Sequence, residues 1–245
     1  MRFEDNRGRP IGSLEDWQRA IPPDHWVPEC SAYLLAHRWW RAEGLPEPVW
    51  RVLDATRVPA LVDLKLRRAI VEHKTALPGE GLDSSTDIMV EATNALGQVW
   101  IAVEGKAREA FDLDLPGWLA SGTSPGSPAN RDARARGLCS KLDIDFQEAR
   151  SKAVGYQLFH RTYAAVRAAE QNRSRHAVML VHSFVRAQPE SESHFDDYRE
   201  FAELLRLPPS APQPNATTPE VQVGPVALRL AWVSDNEWAT RGANP

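Results

Sequence analysis

Two acids and a lysine stand where a β-hairpin would bring them together. The stretch "VWIAVEGKAREAF", residues 99–111, begins with Val99, Ile101 and Val103 in strand alternation. It then sets Glu104 and Lys106 two apart, on one face of the strand. "TDIMVEA" (86–92) reads as the preceding strand, and "TNALG" supplies the turn through Asn94 and Gly97. A symmetric loop centred between Ala95 and Leu96 sets Asp87 opposite Glu104 and Glu91 opposite Trp100. Directly opposed side chains have Cβ atoms about 5 Å apart. Carboxylates that close repel unless a positive charge lies between them or one stays protonated.

A divalent cation would satisfy both acids at once, because Mg²⁺ takes one or two carboxylates together with water and phosphate oxygens. Held by Asp87 and Glu104, it would polarise a scissile phosphate and acidify a bound water. Lys106 would position that water or neutralise charge developing on phosphorus. Glu72 would supply a third acid, and Glu80 competes for that place. The same spacing also fits a surface ion pair between Glu104 and Lys106, worth under about 1 kcal/mol.

The surrounding pattern predicts the elements that carry these residues. The first 75 residues read as helical. Ser13 with Asp16 forms a capping box for "LEDWQRAI", and Ser31 caps "AYLLAHRWWRA", which Gly44 ends. "EPVWRVLDA" (47–55) and "LVDLKLRRAIVEHK" (61–74) are two further amphipathic stretches, the second placing Glu72 near a helix end. Trp17, Trp26, Trp39, Trp40 and Trp50 read as packing residues. "LASGTSPGSPANRDARARG" (119–137) is an exposed loop by composition. Asp145 with Glu148 opens a helix running through residues 146–170.

"HAVMLVHSF" (176–184) is a buried strand, "LPPSAPQPNATTPE" (207–220) a proline-rich linker, and "VALRLAWV" (226–233) a last strand. The expected fold is mixed α/β, of the α+β kind, with a central mixed sheet and flanking helices. One domain spans 1–245, with a helical part at 1–75, a core at 76–206, and linker plus terminal strand at 207–245.

With 245 residues, 42% of them hydrophobic, the chain can bury one sizeable core. Its opening "MRFEDNRGRPIG" is polar and its apolar runs are too short to cross a bilayer, so a cytoplasmic location with no membrane partner is expected. Cys30 and Cys139 match no metal spacing and read as thiols of a reducing compartment. Net charge is −4, yet residues 131–176 hold ten Lys or Arg against five acids. That segment is either a face for phosphate or a solvated helix surface.

"GYQLFHRTY" places Gln157, His160 and Arg161 at i, i+3 and i+4, one polar stripe of a helix. Arg161 would clamp a phosphate and Gln157 a water or backbone group; a plain surface stripe is the alternative. No P-loop is present. His182 and Ser183, adjacent on a strand, point to opposite faces, so His182 reads as a satisfied core histidine.

Asp87 followed by Glu104-Gly105-Lys106, between a preceding helix and a following helix and strand, resembles the PD-(D/E)XK phosphodiesterase superfamily of restriction endonucleases and RecB-type nucleases. The resemblance implies an αβββαβ core. It also implies a nuclease with Asp87, Glu104 and the Gly105 carbonyl on Mg²⁺ (or Mn²⁺), Lys106 as catalytic lysine and Glu72 as a helical acid. It further implies Gln157 and a basic residue on the following helix facing the site. Nucleic acid would be the substrate, DNA ahead of RNA, and a homodimer would serve two strands. The pattern's proline is absent, since Ser85-Thr86 precede Asp87.

Segments from "SLEDW" to the closing "LRLAWV" are similar to an uncharacterised bacterial family, which carries no activity with it. The alternatives are a non-catalytic interaction or regulatory module on the same fold, and a binder of a small phosphorylated ligand through Arg161 and Lys106.

Overall fold

Strand alternation decides which side chains face which helices. The computed structural model describes residues 2–121, 127–185 and 190–236. Its centre is a mixed sheet of nine strands: β1 (Phe3–Asp5), β2 (Pro10–Ile11), β3 (Lys65–Thr75), β4 (Ser84–Asn94), β5 (Gly97–Lys106), β6 (His176–Ser183), β7 (Ala216–Thr217), β8 (Val221–Val223) and β9 (Val226–Ser234). The order is β2-β1-β3-β4-β5-β6-β9-β7, with β8 also paired to β9. β3, β4 and β5 form an antiparallel meander, and β6 and β9 then add parallel. The mixed α/β architecture expected from the sequence is therefore present.

One face of the sheet carries α1 (Leu14–Ala20), α2 (Ser31–Arg41) and α3 (Glu47–Asp54), and its core includes Ile88, Val90, Val99, Ile101, Val103, Val178 and Leu180. The other carries α5 (Pro128–Leu142), α7 (Tyr156–Gln171) and α8 (Glu190–Leu204), and packs on Met89, Trp100, Ala102, Met179 and Val181. The short helices α4 (Leu115–Ala120) and α6 (Phe146–Ala149) complete that side. Each fully buried branched aliphatic in these layers contributes roughly 1.5–3 kcal/mol. Among the described residues no helix is long and apolar enough to cross a membrane.

The hairpin forms in the expected register: Ile88 pairs with Val103, Glu91 with Trp100 and Asn94 with Gly97. Asn94 holds the turn, its Oδ1 accepting from the Leu96 amide at 2.8 Å.

Several expectations need correction. Residues 61–74 are not a helix; Lys65–Thr75 is β3. Its Ala69 and Val71 pack on one face and Ile70 on the other, which is strand periodicity. Glu72 is thus a strand residue, and β1 and β2 also fall inside the stretch expected to be helical. Ser31 is the first residue of α2 rather than its cap; its amide donates to Glu109 Oε1 at 3.0 Å, and the helix ends at Arg41, before Gly44.

The expected loop at 119–137 contains most of α5. Ser127 caps it by accepting from the Asn130 amide, and Pro128 opens it, the usual residue for a first turn. Gly122–Gly126 lie outside the described residues. The helix expected at 146–170 is two helices: Asp145 caps the four-residue α6, and α7 starts only after Gly155. A Cβ on Gly155 would meet Phe111 Cβ at 2.5 Å, so the break lets the chain pass close to the loop after β5.

Candidate functional site

Odd-numbered residues of β5 feed the α2 face, so Glu104 and Lys106 must point toward α7. Both are almost fully buried, at 2% exposure. Lys106 Nζ lies 3.0 Å from Glu104 Oε1, donates to Gln157 Oε1 at 2.7 Å and to the Ala110 carbonyl at 3.2 Å, and sits over the Phe111 ring. A four-carbon stem pinned at three polar contacts leaves the ammonium one position.

From α7, Arg161 completes the cluster. Its Nε donates to Glu104 Oε2, NH2 lies 3.8 Å from Asp87 Oδ1, and NH1 donates to Ser84 Oγ at 2.9 Å and to His160 Nδ1 at 3.1 Å. Burial alone would raise the Glu104 carboxyl; Arg161 and then Lys106 outweigh it and hold the group below the usual range. Because Nδ1 of His160 accepts, its proton resides on Nε2. Burial, followed by the Arg161 and Lys106 charges, keeps that imidazole neutral, far below its ordinary range.

Asp87 follows the opposite course. The β4–β5 ladder stops at Ile88–Val103, and the Gly105 amide turns to Asp87 Oδ2 instead, at 2.9 Å. Burial first, and the neighbouring Glu104 second, push the Asp87 carboxyl up to about 8 against the pull of Arg161. Both escapes from carboxylate repulsion are therefore in use: a guanidinium lies between the acids, and one acid holds a proton at neutral pH.

Glu72 lies beside them on β3, close enough to act on Asp87, and accepts from Ser85 Oγ. Its φ is +54°, the one left-handed non-glycine residue within a described strand. Such a conformation is strained and persists only when its surroundings fix it. Glu80 is not brought to the cluster; it sits on an exposed turn, with its main chain bonded to Asn130.

The predicted residues Glu72, Asp87, Glu104, Lys106, Gln157, His160 and Arg161 thus converge. Gly105 contributes its amide to Asp87. On the opposite face, His182 Nδ1 accepts from Trp39 Nε1 at 3.2 Å, leaving Nε2 to donate to Asp235 at 3.2 Å. It is a satisfied core histidine, as its strand position implies.

Both Glu104 oxygens are taken by Arg161 and Lys106, and Asp87 faces an amide and a guanidinium. The oxygen-only donor set suits Mg²⁺ chemically, but only with Arg161 withdrawn. Among the described residues no group of three or more His, Cys, Asp or Glu side chains is arranged to hold a metal ion.

A cleft of about 230 Å³ opens beside the cluster, lined by Ser84, Ser85, Trp118, Arg134, Tyr156, Gln157, His160 and Arg161 among others. Sequence reasoning missed Ser84, Trp118, Arg134 and Tyr156 as site residues. The signal for Tyr156 was its adjacency to Gln157 at the start of α7. Arg134 comes from a segment whose composition reads as loop, and Trp118 from a stretch to which the sequence pattern assigns no element.

Fold and site together define a mixed α/β protein with a buried carboxylate–lysine–arginine cluster beside a small cleft. The profile of a family described as a domain of unknown function (DUF6946) matches residues 10–237, and the chain belongs to that family. No curated protein and no solved structure matches the chain.

Proposed function

We propose that the chain is a phosphodiesterase-type hydrolase acting on nucleic acid, DNA ahead of RNA. One observation carries the reading: Asp87 and Glu104, on neighbouring strands, share a single guanidinium while Lys106 is fixed on the same face. The succession of α3, the β3–β4–β5 meander, α7 and the parallel β6 supports a likeness to restriction-endonuclease-like proteins.

Residue roles follow from position. Mg²⁺ or Mn²⁺, when bound, would supply Lewis-acid activation of a phosphate, held by Asp87 and Glu104. Gln157 and the Ala110 carbonyl aim the Lys106 ammonium, and Glu104 pairs with it. Withdrawal of Arg161 from the carboxylates would free them and offer its guanidinium to a phosphate, a bidentate match. Asp87 would lose its proton in the same step, since a second positive centre favours the ionised form.

The test is a calorimetric Mn²⁺ titration of wild type, Arg161→Gln and Glu104→Gln, with and without a short DNA duplex, alongside a cleavage assay. The reading requires Mn²⁺ binding that Glu104→Gln removes, Arg161→Gln strengthens in the absence of DNA, and cleavage lost in Lys106→Met. No binding and no cleavage under any condition would sink it. A second reading rests on the near-complete burial of Glu104 and Lys106: a non-catalytic interaction module whose cluster only stabilises the fold. That outcome is the blank in both assays.

A further inference from the structure

The cleft beside the cluster contains groups that the cluster does not explain. Arg134 on α5 is 9% exposed, and its NH1 and NH2 donate to the Leu82 and Glu80 carbonyls at 2.8 and 3.0 Å. Among the described residues it forms no ion pair, so a buried guanidinium faces the cleft without counter-charge, which favours an anion. Tyr156 on α7 is 6% exposed, and its hydroxyl has no hydrogen-bond partner. The same guanidinium is near enough to interact with the hydroxyl but not in hydrogen-bonding geometry. Buried polar groups are almost always bonded, so an orphan lining a cavity points to something that bonds it. Trp118 stacks on the Tyr156 ring, centroids 3.8 Å apart and planes at 11°, and forms a flat apolar wall of the same cleft. The acids in the lining, Asp83 and Asp112, are both exposed and stand at the rim.

We propose that this cleft binds a nucleoside phosphate monoester, with the phosphate on Arg134 and the Tyr156 hydroxyl and the ring system against Trp118. The volume exceeds what a bare phosphate fills. The assignment does not depend on whether the Asp87–Glu104–Lys106 cluster hydrolyses anything, because binding needs neither the lysine nor a metal. Two sources share this chemistry: a free mononucleotide and the 5′-phosphorylated end of a strand.

Calorimetry on the full chain in chelator-treated buffer tests it, with adenosine monophosphate, adenosine, inorganic phosphate, and a short single strand with and without its 5′-phosphate. Expected is binding of the monophosphate at least tenfold tighter than adenosine or inorganic phosphate. Equal binding of the strand only when phosphorylated assigns the strand end; binding of the free nucleotide alone assigns a nucleotide pocket. Arg134→Gln would also loosen the 80–82 turn, so Tyr156→Phe is the decisive variant. It keeps the ring and the stacking, and removing an orphan hydroxyl leaves ligand-free thermal stability unchanged or raised. Affinity for the monophosphate then falls about tenfold. No binding by wild type, adenosine binding as tightly as its monophosphate, or undiminished binding by Tyr156→Phe overturns the proposal.

Discussion

Lys106 Nζ stands 3.0 Å from Glu104 Oε1, and the other oxygen of that carboxylate is taken by Arg161. One buried anion thus serves two buried cations from different elements, β5 and α7. Removing the anion leaves both cations without compensation in a region that excludes water. Glu104→Ala is expected to destabilise the fold by about 3–5 kcal/mol, the range for breaking a buried pair from one side. Denaturant unfolding measures this. A loss below about 1 kcal/mol would show that Lys106 and Arg161 swing to solvent freely.

A pH dependence with a definite sign follows from Asp87. Its carboxyl is pushed up to about 8 by burial and Glu104, whereas the unfolded chain ionises it near 4. Between those values the native state binds a proton that the unfolded state has released, so stability falls as pH rises. Burial also lowers His37, His73, His160, His176 and His182 in the fold. Unfolded histidines losing protons up to about pH 7.5 therefore add a stabilising slope common to wild type and Asp87→Asn, and the difference between the two proteins isolates Asp87. Asp87→Asn should flatten this limb and be more stable than wild type at pH 8. With 24% of the Asp87 side chain still exposed, the gain is on the order of 2 kcal/mol. Equal slopes for the two proteins between pH 6.5 and 8 would refute the assignment.

The parts of this site that were legible in the sequence are those set by short-range geometry. The turn at Asn94 and Gly97 determines the hairpin register, and register alone places Asp87 against Glu104. Helical spacing alone puts Gln157 and Arg161 on one stripe. What failed depends on partners distant in sequence. "LKLRRAIVEHK" carries charges at positions of both periods, and only its ladders to β1 and β4 settle it as a strand. Arg131 and Arg134 read as solvated because charge predicts exposure, yet they are buried as α5 packs beside α7. That Arg161 lies between the two acids required knowing how α7 lies on β5.

The histidine network on the other face should be separable from the cluster. Trp39→Phe removes the donor to His182 Nδ1 and is expected to reduce stability by about 1–2 kcal/mol, the effect of leaving a buried acceptor unpaired. Monophosphate affinity should not change, since the sheet lies between the two sites. Thermal unfolding and calorimetry on the same variant check both halves; a change in affinity would mean that the faces are coupled through β6.

Gly105 sits between the two reactive-type residues of β5 and points the other way, into α2. A Cβ there would lie 2.2 Å from Leu35 Cδ1, 2.8 Å from its Cγ and 3.2 Å from Ser31 Cβ. Leu35 is 2% exposed, so its tip has no free volume to enter. Gly105→Ala should therefore behave as overpacking, with a loss of about 1–3 kcal/mol. For a chain of this size that is a fall of roughly 2–4 °C per kcal/mol in thermal midpoint. Leu35→Ala alone opens a cavity and should cost about 2–5 kcal/mol. Together the two changes should be less damaging than their sum by 1 kcal/mol or more, because the new methyl enters the vacated space. Additive losses would locate the penalty elsewhere, in displacement of the Gly105 amide from Asp87, and an Asp87 titration raised further in Gly105→Ala would then be the accompanying sign, because that amide favours the ionised carboxylate.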